Sequence, residues 1–364
     1  MEVSLPQPAL HAALRKAHTA TGITGQVRLV ASPGQLDVTA RNNGHTTMLF
    51  ATELDADIAS PGHVTVNIRQ LLPAVKSFTP DILTLTGNDI GLDLSAGDIN
   101  ITLHASDHPA CIADRIPAAG VAVGGVEFRR AVATTVRTVA TDRHPVFGNV
   151  WFDRERDGGQ LRLVGTDTFR LAAVRVPSAH QTPAGFQVDA PSLKRAVKAL
   201  GKQVRYDLAH ADSRLWVSAG GMTVGIETDD TALPRYRAWA QETRSTVTVA
   251  RRPLADLLGR AVTLAVKKTP PPVYLTMTAD TLEVTSETGA GTVSGSFHAG
   301  TCDMPDQPTR LGFNGKFLFD AVDTLEGDQV SLMLPEDPTE RPKPIKLISA
   351  PACEVWHLVM PTRG

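Results

Sequence analysis

Apolar positions along this chain fall into one helical pattern that occurs three times. Asn67 precedes Leu71, Ala74, Val75 and Phe78; Asp189 precedes Leu193, Ala196, Val197 and Leu200; Asn314 precedes Leu318, Ala321, Val322 and Leu325. Offsets of i, i+3, i+4 and i+7 place four side chains on one helical stripe, and an Asn or Asp just ahead is the residue type that accepts hydrogen bonds from the unpaired N–H groups of a first turn. The copies lie 122 and 125 residues apart. A second helical pattern recurs in the same phase, at Leu10, Ala13, Leu14 and Ala17, at Phe128, Ala131, Val132 and Thr135, and at Leu254, Leu257, Leu258 and Ala261. Alternating stretches such as Gln35–Thr39, Gln160–Val164 and Thr281–Thr285, bounded by Gly, Pro, Asp and Asn, predict strands and turns between and after these helices. Each unit reads as helix, strands, helix, strands. One such helix would mean little, but two patterns recurring three times at matching intervals mark an internal repeat. With breaks near Pro117–Gly120 and Thr243–Ser245, the chain divides into three similar α+β domains, residues 1–118, 119–243 and 244–364.

Composition then narrows the classes. With 42% hydrophobic and 20% charged residues among 364, each domain can bury a core, and disorder is excluded. A net charge of −2 argues against binding nucleic acid through overall basicity, so the placement of Lys and Arg decides. Lys194, Arg195, Lys198 and Lys202 share the face opposite the apolar stripe of the middle helix. Other predicted helices add Arg129, Arg130 and Arg137, then Arg15, Lys16 and Lys76, then Arg251, Arg252, Arg260 and Lys316; Asp256, Asp320 and Asp323 are the main acidic exceptions. Any solvated helix face carries some Lys and Arg. Enrichment on most of six equivalent helices in a net acidic chain points instead to a surface that meets phosphates. No aromatics interleave with these residues, which favours contact with a duplex backbone, without sequence readout, over stacking on single-stranded bases.

Catalytic patterns are missing. The sequence holds no G-x-x-x-x-G-K-[ST] phosphate loop, no H-E-x-x-H helix and no G-x-S-x-G elbow. Gly289–Gly295 has the wrong glycine spacing for a dinucleotide site and reads as a hairpin, Thr141–His144 as a loop, and Asp229-Asp230 as a solvated turn. Cys111, Cys302 and Cys353 are odd in number and far apart, the pattern of reduced, buried thiols. Neither a signal peptide nor an apolar run of membrane-spanning length is present. A non-enzymatic, cytoplasmic protein without cofactor, metal or membrane partner is the expectation.

Three segments carry a family resemblance that spans essentially the whole chain. Val164–Ala172, V-G-T-D-T-F-R-L-A, resembles the A-T-D-G-H-R-L-A signature of the β subunit of bacterial DNA polymerase III, the replicative sliding clamp. Leu233–Arg237 is similar to that family's F-P-D-Y-R segment, and Leu358–Arg363 resembles its V-V-M-P-M-R-L ending. The resemblance implies a head-to-tail homodimeric ring of pseudo-six-fold symmetry that encircles double-stranded DNA without sequence specificity. It implies a non-catalytic processivity factor that tethers DNA polymerase, clamp loader and repair proteins through short peptide motifs. Carried over by position, the client-peptide pocket comprises Phe147, Thr166, Thr168, Phe169, Arg170, Leu171, Pro234, Trp239, Val359, Met360, Pro361, Thr362 and Arg363. Some of these have a plainer reading as well: Val359 and Met360 as strand core, Arg170 as a packed, ion-paired arginine.

The departures are specific. Thr168 and Phe169 stand where the family has Gly and His, Ala238 where Arg is common, and Gly364 where the chain ends in Leu; the family's R-P-x-x-P-x-L run is reduced to Thr21–Gly25. They keep two alternatives open: a specialised or resistance-type clamp paralogue with an altered pocket, and a clamp-fold regulatory module that no longer encircles DNA. A hydrolase or nuclease is disfavoured by the missing motifs.

Overall fold

The computed structural model describes residues 1–22, 25–42, 46–79, 81–106, 116–140, 147–154, 159–179, 181–231, 235–240, 243–265, 271–300, 308–335, 343–350 and 354–362. They form two compact units, one of Met1–Arg130, Glu155–Leu161 and Pro177–Thr231, the other of Ala131–Arg154, Arg162–Val176 and Ala232–Gly364, so the middle repeat contributes to both. The three cysteines and Thr141–His144 lie outside the described residues.

All six helical patterns are helices: α1 Gln7–Thr21, α2 Ile68–Ser77, α3 Gly125–Val136, α4 Ala190–Leu200, α5 Arg251–Thr263 and α6 Gly315–Thr324. The polar residue ahead of α2, α4 and α6 caps in each case. Asn67 accepts from the Arg69 amide at 2.9 Å, Asp189 from Ser192 at 2.8 Å, and Asn314 from Lys316 at 3.1 Å. Each cap satisfies a first-turn donor and contributes about 1 kcal/mol. Leu71, Leu193 and Leu318 are wholly buried beneath them. Two helices end earlier than the apolar pattern. Phe78 and Leu325 sit one residue past α2 and α6 in extended conformation, yet both stay buried, because the chain turns outward while the side chain still enters the core. Ala74, Val197 and Leu257 lie at the stripe margins and are half-buried.

The repeat is also visible in strand pairing. In each copy the strand entering the first helix pairs antiparallel with the strand that follows the second: Glu2–Pro6 with Ile82–Gly87, Val121–Gly124 with Arg205–Ala211, and Thr243–Ala250 with Gln329–Pro335. Each helix pair is thereby clasped at its base. In the first unit α1 packs on α2 and α4, and in the second α5 packs on α6.

The first unit holds a five-stranded sheet in the order Asp57–Ser60, Glu2–Pro6, Ile82–Gly87, Gly91–Ala96, Ile99–His104. In its second sheet Met48–Asp55 of the first repeat pairs with Met222–Asp229 of the middle one, Phe50 opposite Val224. The second unit repeats this device: Arg170–Val176 of the middle repeat pairs with Val355–Val359 of the last, Leu171 opposite Leu358. Its other sheet runs Gly291–His298, Thr281–Thr288, Pro272–Met277, Thr309–Asn314. Thr288 and Gly291 are partners across a two-residue turn, so the Gly289–Gly295 stretch is a hairpin. At Asp229 the carboxylate accepts from the amide and hydroxyl of Thr231, closing a turn.

Two sheet edges are poorly covered. Ile99, Ile101 and Leu103 lie opposite Ala96, Leu94 and Leu92, but Ile99 is 59% exposed and the other two are half-buried. On Gly291–His298, Val293, Gly295 and Phe297 are likewise only half-buried. An edge strand with an apolar stripe and free backbone groups is a template for a further strand.

Candidate functional site

The basic positions divide by what holds them. Arg15, Lys76, Lys194, Lys198, Lys202, Arg252 and Arg260 are exposed, and among the described residues none has an ion-pair partner. Lys16 is half-buried. The rest are engaged. Arg129 donates to the Gln203 carbonyl at 2.5 Å, Arg195 to Ser192 Oγ at 3.1 Å, and Arg251 to the Gly327 carbonyl at 2.7 Å. Arg137 pairs with Asp323 at 3.0 Å, and Lys316 with Asp320. Arg130 is half-buried and partnered. The exposed cations therefore concentrate on α4, where Lys194 and Lys198 are one turn apart, while Lys202, expected on the same face, lies past the left-handed Gly201 that ends the helix.

The second candidate surface is built around the turn Thr166–Arg170, at the start of the strand that pairs with the C-terminal strand. Asp167 organises it: Oδ1 accepts from the amides of Phe169 and Arg170 at 3.1 and 3.0 Å, and Oδ2 from Arg170 Nε at 3.0 Å. Thr166 Oγ1 donates to the Arg170 carbonyl at 2.6 Å and accepts from the Thr168 amide. Thr168 has φ of 77°. A β-branched residue in that left-handed region costs about 1–2 kcal/mol, a strain that persists only where the surroundings over-determine it. At the tip Phe169 is 62% exposed, while its carbonyl accepts from the Met360 amide at 2.8 Å.

Arg170 is a packed, ion-paired arginine. Besides Asp167, its Nη1 donates to Asp320 of α6 at 2.7 Å and its Nη2 to the Arg137 carbonyl at 2.6 Å; the guanidinium lies 4.2 Å over the Phe317 ring. Next to this pair His357 is fully buried, its Nε2 sharing a 2.9 Å hydrogen bond with Thr324. Burial, and then the nearby Arg170 charge, pull its pKa down to about 3.

The structure sorts the remaining pocket positions. Thr166, Leu171 and Val359 are buried; Phe147, Met360 and Pro361 are half-buried; Thr168, Phe169, Trp239 and Thr362 are exposed. Phe147 packs on a core of Trp151, Val164, Leu171, Ala173, Tyr236 and Leu358, which Trp356 and Ala240 also cover. Trp239 ends the short helical turn Tyr236–Trp239. That turn is anchored by Tyr236, whose hydroxyl donates to Asp153 at 2.7 Å, and by Arg237, which pairs with the same carboxylate. Burial and the Asp153 hydrogen bond both push the Tyr236 pKa up, which keeps the phenol a donor. Pro234 and Arg363 lie outside the described residues. Asp167 and Tyr236 fall within the Val164–Ala172 and Leu233–Arg237 segments without being among the pocket positions, and Asp320 and Phe317 carry no sequence signal that marks them as site residues. Asp320 is one of two carboxylates on α6.

Among the described residues no group of three His, Cys, Asp or Glu could hold a metal ion, and no helix is long and apolar enough to cross a membrane.

Residues 237–363 match the family model of the DNA polymerase III beta subunit, C-terminal domain. The beta sliding clamp of Caulobacter vibrioides is 24% identical over 328 residues, 81% of this chain and 85% of that protein. Among solved structures, the beta sliding clamp of Caulobacter crescentus aligns over 100% of this chain and 99% of its own with a TM-score of 0.85 at 20% identity. The sliding clamp of Bacillus subtilis aligns with the same coverage and TM-score at 18% identity. By sequence over its last third the chain is similar to the C-terminal domain of the DNA polymerase III beta subunit, and over its whole length it has the fold of the bacterial beta sliding clamps.

Proposed function

We propose that this chain is a DNA sliding clamp, a non-catalytic processivity factor that encircles duplex DNA and tethers polymerase and other clients to it. The observation that carries the reading is the set of exposed Lys194 and Lys198 on a repeated helix and Lys202 just past its end, without an ion-pair partner among the described residues, in a chain with net charge −2. Such a surface suits phosphates and is indifferent to base sequence. The uncovered strand edges Ile99–His104 and Gly291–His298, one in the first repeat and one in the last, support closure by two head-to-tail interfaces between copies. Processivity then comes from topology and high effective concentration, since a tethered client meets its template repeatedly without rebinding from solution. Opening and loading the ring fall to another, nucleotide-driven protein. Solution mass together with retention on circular and on linearised DNA tests this: a dimer held by circles and shed from linear ends supports it, and a monomer at micromolar concentration overturns it.

The turn-tip Phe169, with Trp239, Met360 and Pro361, fits a short peptide anchored by one or two apolar side chains. Because Thr168 and Phe169 replace Gly and His of the family pattern, the client preference is shifted, as in a specialised paralogue. Calorimetry of a consensus Q-x-x-L-F peptide on this protein and on Phe169→His checks it; equal affinities would remove the support for specialisation.

A further inference from the structure

We propose that Arg170 is a positioning residue: through Asp320 and Phe317 of α6 it locks the Thr166–Arg170 turn and holds the exposed Phe169 ring in place for a partner. The chain of interactions is continuous. Asp320 and the Arg137 carbonyl fix two ends of the guanidinium, and Phe317 fixes its plane at 4.2 Å. The fixed Nε orients Asp167 Oδ2, and the other oxygen of that carboxylate then holds the amides of Phe169 and Arg170. Thr168 sits at φ 77°, a conformation that a free turn would leave, so the turn is held and not merely allowed. The outcome is an aromatic ring 62% exposed on a backbone with almost no freedom. Binding to a ring that is already ordered avoids the entropic cost of ordering it. Asp320 itself is buried and cannot touch a partner, so any effect it has on binding passes through Arg170 or through Lys316, its other ion-pair partner.

The consequence for affinity rests on the peptide-site reading above; the ordering of the turn does not. The test compares Asp320→Asn, Phe317→Leu and a control, Asp323→Asn, which breaks only the surface pair with Arg137. Amide hydrogen exchange is read at Phe169, Arg170 and Met360, with Ala173 and Val174 of the same strand as reporters of intact fold. Asp320→Asn and Phe317→Leu are expected to speed exchange at the first three amides at least tenfold, leave the two reporters unchanged, and weaken a consensus clamp-binding peptide several-fold; Asp323→Asn should do neither. Unchanged exchange at Phe169 in both test variants overturns the lock, as does an equal rise at the reporters, which would mean general loosening. If the wild type binds no peptide, the exchange result still decides the lock and the peptide-site reading alone fails.

Discussion

Arg170 and Asp320 meet at 2.7 Å from positions 150 residues apart, with side chains only 9% and 7% exposed. Such a buried pair contributes little net stability, since desolvation offsets its attraction, but removing one partner strands a charge. Asp320→Ala is expected to lower unfolding stability by on the order of 3 kcal/mol, while Arg170→Met combined with Asp320→Leu and Asp167→Asn, which also neutralises the second carboxylate on Arg170, recovers most of that deficit. Urea titration of the three proteins decides it; a single substitution costing less than about 1 kcal/mol would mean that the pair is solvated in solution.

His357 gives the second unit an acid sensitivity with a defined window. Its pKa is 6.5 as a free side chain and about 3 in the fold. Below 6.5 the unfolded chain takes up a proton that the folded one refuses, so stability is full above that pH and is lost progressively as pH falls toward 3. His357→Gln should flatten the stability profile between those limits. Identical pH slopes for the two proteins would count against burial of a neutral imidazole.

Lys194→Glu, Lys198→Glu and Lys202→Glu together should weaken retention on circular DNA and reduce the slope of log affinity against log salt by about 0.9 for each phosphate that is no longer neutralised. All three are exposed and have no ion-pair partner among the described residues, so the melting profile should not change. Undiminished retention would make the face a solubilising one.

Leu103→Asp and Phe297→Asp each put a charge on one of the two uncovered edge strands. Both positions are half-buried, so each subunit should stay folded while the solution mass falls to that of one chain. A dimer surviving both substitutions places the interface between copies elsewhere.

The six helices, and the caps of α2, α4 and α6, are legible in the sequence because their signals are local: a 3.6-residue period and, for those three, an Asn or Asp four positions ahead. The hairpin at Gly289-Ala290 is legible for the same reason. The reading of Arg170 as a packed, ion-paired arginine holds, but its partner is not legible, because Asp320 lies on α6 and nothing in the residues around Arg170 points to it. Asp320 and Asp323 read as two equivalent acidic positions on one helix, yet one faces the interior and the other solvent. Only packing tells them apart. The peptide-site positions rest on motif resemblance, which conveys residue types but not whether Val359, at 1% exposure, offers any surface to a ligand.

The junction of Met48–Asp55 with Met222–Asp229 is made of main-chain hydrogen bonds, which do not read side-chain identity. A joint of that kind can survive the replacement of nearly every residue in it. What it cannot survive is a change in strand spacing, and Gly225 marks one such limit: a Cβ there would come within 2.7 Å of the Trp216 ring. Selection at this junction therefore acts on shape at a few positions and is blind to chemistry at the rest, which is how a lineage can drift to one-fifth identity and keep its architecture.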